Sequence, residues 1–283
     1  MNKPKYHIAS FSGGKDSTAM VLRLIELGEP LDEVMHCDTT AEFPAMYRHV
    51  EKVKKVVEDA GIKFTTLRAE KDFEHYLLHH VPATRRKPEL EGMVGYSWPG
   101  PLSRWCTRTL KLDLLNKHIR ELRKNYTLVQ YIGLAADEKY RLERENNRAP
   151  ELTYPLVRWG WDEAQAIAYC KEKGYDWEGL YDVFDRVSCW LCPLQPLEDL
   201  RKLRKHYPEL WQKLQDLDAK TWRWFKSGVK VKDFDRRFSL EDALTDAGHS
   251  ITNRKFFADN KRLLANEATI EEILNERSKE AGS

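Results

Sequence analysis

The stretch Ile8-Ala9-Ser10-Phe11-Ser12-Gly13-Gly14-Lys15-Asp16-Ser17 decides how this chain is read. Lys5–Phe11 is a short, mainly apolar run that predicts a buried strand. Residues 17–27 place Ala19, Met20, Leu22, Leu24 and Ile25 at helical spacing before Gly28. Between strand and helix lie two glycines, which let backbone N–H groups approach a phosphate closely, while the helix start adds the positive end of its dipole. Lys15 brings a mobile positive charge, Ser10, Ser12 and Ser17 bring hydroxyls, and Asp16 can cap the helix or help hold Mg²⁺. The loop is not of the Walker type, which needs four residues between its first Gly and Gly-Lys-Ser/Thr. A ligand-free Gly turn is the plainer reading, but the combination of residue types and flanks favours phosphate binding.

Outward from the loop, strands are predicted at Glu33–Asp38, Lys63–Arg68, 128–133 and 152–156, with helices over 45–60 and 162–173, the latter capped by Asp162. Strands alternating with helices at this spacing imply right-handed βαβ units and a parallel sheet. Residues 82–106 hold several prolines and glycines, and a loop of that length in a compact domain is usually functional or mobile. Beyond Pro196 the pattern turns to helices rich in Lys, Arg, Trp and Leu. The expected division is a nucleotide-binding domain over 1–195 and a helical appendage over 196–283.

With 283 residues, 41% hydrophobic and 33% charged, the composition is that of a folded, well-solvated protein, and a net charge of +2 demands no nucleic-acid or membrane partner. No apolar run approaches the roughly 20 residues of a membrane span, and Met1-Asn2-Lys3-Pro4-Lys5 lacks the apolar core of a secretory signal, so a cytoplasmic protein is expected. The five cysteines, Cys37, Cys106, Cys170, Cys189 and Cys192, are an odd number that argues against a disulfide framework.

The loop Ser12-Gly13-Gly14-Lys15-Asp16-Ser17 resembles the signature of the PP-loop ATP pyrophosphatases. Asp38-Thr39-Thr40-Ala41-Glu42-Phe43-Pro44, Arg104-Trp105-Cys106-Thr107 with Leu110-Lys111, and Gly133-Leu134-Ala135-Ala136-Asp137-Glu138 resemble its phosphoadenosine phosphosulfate (PAPS) reductase-like branch. So do Tyr154-Pro155-Leu156 and Leu180-Tyr181 through Cys189-Trp190-Leu191-Cys192-Pro193. The resemblance covers roughly residues 5–196. It implies an open, doubly wound, mostly parallel α/β sheet of the adenine nucleotide alpha hydrolase-like kind, with the nucleotide at the carboxyl ends of the strands. It further implies that Lys15, Asp16, Asp137 and Glu138 are catalytic. Asp38 and Thr39 would lie near the adenosine, with Arg108, Lys111, Gly133 and Arg141 completing the nucleotide site. Ala135 departs from the arginine that family often carries two residues after the glycine.

The cysteines bear on the reaction class. Reductases of this branch carry their thiol in a Glu-Cys-Gly-His-like tail, and no cysteine follows Cys192, so that tail is expected to be missing. Cys189-Trp190-Leu191-Cys192 lets two thiolates reach one metal, and Cys106 can complete a face. Three cysteines with an open iron resemble the cluster-dependent PP-loop sulfurtransferases that thiolate tRNA, and the sulfurtransferase of DNA phosphorothioation. A [4Fe-4S] cluster is therefore weighed against a Zn²⁺ site and plain thiols, while Cys37 and Cys170 are expected in the core. Three functions stay open. One is ATP-dependent, Mg²⁺-assisted adenylation followed by sulfur transfer to a tRNA, a DNA or a nucleotide, with a sulfur-donor protein and a homo-oligomer both possible. The others are PAPS or APS reduction using an external thiol, and a non-catalytic nucleotide-binding subunit of a modification or defence complex.

Basic and aromatic residues interleave in Trp222-Arg223-Trp224-Phe225-Lys226 and Arg236-Arg237-Phe238, and cations cluster in Arg85-Arg86-Lys87 and Arg201-Lys202 with Arg204-Lys205-His206. Such mixtures can stack bases and neutralise phosphates, although a solvated helix with packed tryptophans is the commoner meaning. His79-His80 reads as a surface or loop pair.

Overall fold

A computed structural model describes residues 3–84, 88–143, 149–226, 228–248 and 268–281. Five parallel strands, β1 (Lys5–Phe11), β2 (Glu33–Asp38), β3 (Lys63–Arg68), β4 (Thr127–Ile132) and β5 (Leu152–Thr153), pair in the order β3-β2-β1-β4-β5. The order reverses between β1 and β4, so a crevice opens at their carboxyl ends, where such sheets take their ligands. Ser10 pairs with Met35 on one side and Ile132 on the other, which brings three strand ends level.

Strand alternation assigns each face its core. On one face Ile8, Met35 and Leu128 pack against Leu115, Ile119 and Leu122 of a helix at Asp113–Leu122. On the other, Ala9, Phe11, Val34 and Tyr131 meet α1 (Lys15–Glu26) and α2 (Pro44–Asp59). Because successive side chains of a strand point to opposite faces, the two clusters share almost no residue of one parity, and the sheet is covered on both sides.

Among the described residues, the longer helices that follow are α3 (Phe73–Leu78), α4 (Asp113–Leu122), α5 (Pro155–Trp159), α6 (Glu163–Glu172), α7 (Leu197–His206), α8 (Pro208–Ala219), α9 (Val231–Asp246) and α10 (Ile270–Ala281), with a single turn at Leu180–Val183 between α6 and α7. The strand expected over 152–156 stops at Thr153, because Pro155 takes the first position of α5, where its missing N–H costs nothing. Ahead of α4, Arg108–Leu112 winds as a π-turn after a short helical turn at Trp105–Thr107. Helix α6 begins as expected at Asp162, whose carboxylate accepts from the Gln165 N–H while Gln165 caps back.

The second half of the 82–106 loop is pinned down. Ser97 and Tyr96 donate backbone bonds to Leu77 and Tyr76, and the fully buried Trp98 donates through Nε1 to Asp218 on α8 at 2.8 Å. Asp218 also accepts from the Val231 N–H at 2.7 Å and pairs with Lys230. The loop carrying Cys106 is thus tied to α8 and α9, whose apolar faces (Trp211, Leu214, Phe234, Phe238) continue the main core. The cationic run Arg85-Arg86-Lys87 lies outside the described residues. Among the described residues no helix is long and apolar enough to cross a membrane.

Candidate functional site

The loop after β1 owes its shape to two close approaches. Gly13 has φ +83°, and a Cβ there would sit 2.7 Å from Met46 Sδ; its carbonyl accepts from Trp177 Nε1 at 2.7 Å. At the end of β4, a Cβ on Gly133 would lie 2.9 Å from the Ser17 Cα, so the start of α1 is pressed against the strand end. Ser17 Oγ bonds Ser12 Oγ at 3.0 Å and donates to the Gly14 carbonyl at 3.0 Å, and the Lys15 N–H donates to the Tyr181 hydroxyl at 3.0 Å. Gly14 is the N-cap of α1 and supplies no side-chain cap.

Lys15 and Asp16 stand in an acidic setting. The Lys15 ammonium is largely buried and pairs with Glu163 of α6 at 2.5 Å. Burial pushes the Asp16 carboxyl up to about 6; Lys15 opposes that rise, and the charges of Glu163, Glu138 and Asp137 add to it. One Asp16 oxygen, Oδ1, is buried with no hydrogen-bond partner. Asp137, Glu138 and Arg141 lie on the 3₁₀ segment Ala136–Glu143, where Glu138 accepts from Arg141 at 2.5 Å. Three carboxylates therefore act on Asp16 beside the Ser12–Ser17 loop. Glu163 carries no motif that would have marked it: its role depends on α6 packing beside α1.

On the α4 side of the strand ends, a cavity of about 220 Å³ is lined by Ser10, Ser12, Ser17, Cys37, Lys111 and Gly133 among others. Cys37, expected in the core, lines this cavity instead, because its parity matches Met35 and Glu33 rather than Val34. Burial raises its thiol to about 11. Asp38 and Thr39 stand outside that lining. Asp38 pairs with Arg68 and accepts from the Thr40 N–H in a turn where Thr40 has φ +59°. Thr39 donates to Glu42 at 2.9 Å. Arg108 is exposed and lies 3.8 Å from Asp113.

Lys111 joins the cavity to the cysteines. Its ammonium is 3.9 Å from Glu42, and Glu42 accepts from the Cys189 thiol at 3.3 Å. Burial alone would lower the Lys111 pKa, but Glu42 and the Cys189, Cys37 and Cys106 thiols overcome it and leave it raised. The Cys192 N–H donates to the Cys189 carbonyl at 3.0 Å, closing the turn between those two residues. Burial raises the Cys106 and Cys189 thiols, and Cys192 adds to both. Cys106, Cys189 and Cys192 thus share one electrostatic neighbourhood. Among the described residues no group of three or more His, Cys, Asp or Glu side chains is set in ligating geometry. Cys170 is buried 3.6 Å from the Lys15 carbonyl, as expected of a core thiol.

Two uncharacterized proteins of Methanocaldococcus jannaschii, MJ0066 and MJ0973, are similar in sequence: 28% identical over 220 residues and 27% over 241. The matches cover 74% and 79% of this chain but 41% and 53% of theirs, so the chain spans about half the length of the curated relatives it matches. Among solved structures, the U34-tRNA thiolase NcsA from Methanococcus maripaludis with its [4Fe-4S] cluster aligns over 84% of this chain and 74% of its own. That alignment has a TM-score of 0.39 and 15% identity, a superposition too loose to transfer anything. The profile of the phosphoadenosine phosphosulfate reductase domain matches residues 6–195, from β1 through the Cys189–Cys192 turn. The chain belongs to the phosphoadenosine phosphosulfate reductase domain family.

Proposed function

We propose that this chain is an ATP-using PP-loop enzyme that adenylates an oxygen of a nucleic-acid or nucleotide acceptor and transfers sulfur to it. The observation that carries the reading is the set of carboxylates around the phosphate loop. Asp16, Asp137, Glu138 and Glu163 oppose a bare anion, and the unpartnered, buried Asp16 Oδ1 asks for a cation. A magnesium nucleotide would meet both demands, since Asp16 and its acidic neighbours would hold the cation and the cation would offset the phosphate charge. Sulfonucleotide reduction, by contrast, needs a thiol and gives these carboxylates nothing to do.

In this reading the N–H groups at the start of α1 and the hydroxyls of Ser12 and Ser17 hold the β- and γ-phosphates. Lys15 leaves or shares Glu163 to meet a phosphate oxygen. Asp16, with Asp137 or Glu138, would hold Mg²⁺, whose charge would favour the departure of pyrophosphate. The adenosine occupies the cavity beneath Ser10, Cys37 and Lys111. The acceptor oxygen attacks the α-phosphorus as the bond to pyrophosphate breaks, and a sulfur nucleophile then attacks the acceptor carbon as AMP departs with the oxygen.

Cys106, Cys189 and Cys192 are the thiols proposed to hold an iron–sulfur cluster. Their donor chemistry fits soft metals, and burial makes unliganded thiolates unfavourable there, which bound metal would reverse. A cluster held by these three cysteines would supply the sulfur-transfer chemistry. Lys111, which lines the cavity and lies 3.9 Å from Glu42, would hold the α-phosphate in this reading. The test is product analysis of anaerobically prepared protein. ATP-dependent pyrophosphate release with candidate RNA or DNA acceptors supports the reading, and sulfite release from PAPS without ATP replaces it with reduction.

A further inference from the structure

A second cavity, of about 320 Å³, lies beside the segment that follows Cys192. It is lined by Pro99, Gly100, Pro101, Pro193, Leu194, Arg223, Trp224, Phe225, Lys226 and Gly228. Its walls come from the two segments that deliver the thiols. Pro193 directly follows Cys192, and Gly100 bridges Ser103, three residues before Cys106.

The third wall, Arg223 to Lys226, is a turn between α8 and α9 rather than a solvated helix. Phe225 is buried against Trp98 in an edge-to-face contact with centroids 5.0 Å apart, which anchors the turn. Its neighbour Trp224 faces outward, 55% exposed at the cavity wall. Lys226 Nζ donates to the carbonyls of Pro193 and Gln195 at 2.9 and 2.7 Å, and no carboxylate pairs with it among the described residues. Arg223 is braced by the Trp98 carbonyl and Ser103 Oγ.

The lining contains two cations and no acid. An exposed indole supplies a flat apolar face, and rigid proline walls narrow the slot. A neutral apolar ligand would leave the Lys226 charge unused, and a simple polyanion would leave the indole unused. An aromatic plane joined to a phosphodiester uses both, by stacking and by charge.

We propose that this groove receives an unpaired nucleobase of a single-stranded nucleic acid, stacked on Trp224 with its flanking phosphates against Arg223 and Lys226. The inference rests on the nucleic-acid arm of the proposed function, and it places the acceptor strand beside the thiols.

Fluorescence anisotropy with labelled oligo(U) and oligo(dT) of about twelve nucleotides at low salt tests it. Wild-type protein should bind at least one of them, Trp224→Ala should weaken binding about tenfold, and Trp224→Phe should stay within about threefold of wild type. Trp224 is exposed, so neither change endangers the fold, and ATP affinity should be unchanged in both. Equal binding by wild type and Trp224→Ala overturns the proposal. So does absence of binding by wild type up to about 100 µM, or equal competition by oligo-glutamate. If ATP affinity and pyrophosphate release are absent while the Trp224 dependence holds, the ATP reading falls and this site stands.

Discussion

Replacing Asp16 by Asn should make the protein more stable and less able to use its nucleotide. In the folded chain the Asp16 carboxyl is raised from 3.8 to about 6, mainly by burial, and one of its oxygens has no partner. The native state thus binds the proton more tightly than the unfolded chain does. Stability from this group is fully present below the unfolded pKa and is lost as pH rises through about 6. A rise of that size is worth about 3 kcal/mol at full ionisation. Partial exposure and relaxation reduce it to roughly 1–2 kcal/mol. Asn keeps the shape and never ionises, so its advantage should be small near pH 4 and complete by about pH 7. For a chain of this size that corresponds to a rise in melting temperature of about 2–8 °C. Differential scanning calorimetry from acid to neutral pH reads the difference directly. An Asn variant less stable than wild type at pH 8, or a difference that stays flat across pH, would refute the reasoning.

Other perturbations probe other parts of the site. Gly133→Ala puts a methyl 2.9 Å from the Ser17 Cα and should cost about 1–3 kcal/mol in a urea titration while weakening ATP binding; a neutral outcome would mean the loop yields easily. Asp218→Ala leaves Trp98 Nε1 and Lys230 without their buried carboxylate and should cost about 3–5 kcal/mol, with the Cys106 loop opening to proteolysis. Persistent protection of that loop would show that apolar packing alone holds it. Anaerobically purified protein should be brown with absorbance near about 400 nm, and Cys189→Ala should remove colour and iron together. Colourless protein with stoichiometric zinc ends the cluster proposal.

The sheet was readable because its signals are local. The bounds of β1, β2 and β3 follow from short apolar runs closed by turns, and the Asp162–Gln165 cap marks the start of α6. The loop Ser12–Ser17 stands out in the sequence for the same reason: its two glycines, two hydroxyls and lysine lie within six consecutive residues. What escaped needed tertiary contact. Glu163 looks like an ordinary first-turn acid until α6 packs on α1 and brings it to Lys15. Glu42 gains meaning only when the Cys189 turn meets the segment that follows β2. Cys37 read as core because it sits on a strand, and only pairing parity turns it to the cavity. Trp98 and Asp218 lie far apart in sequence, so nothing local shows that the long loop is held by α8.

The most direct test of the phosphate loop as an ATP site is calorimetric titration of ATP·Mg²⁺ into the wild-type protein and into Lys15→Ala. Wild type should bind with affinity in the micromolar range, about −8 kcal/mol. Lys15→Ala should lose at least about tenfold while circular dichroism and melting show an intact fold. Equal affinities in the two proteins, or a wild type that binds PAPS and ignores ATP, would contradict it.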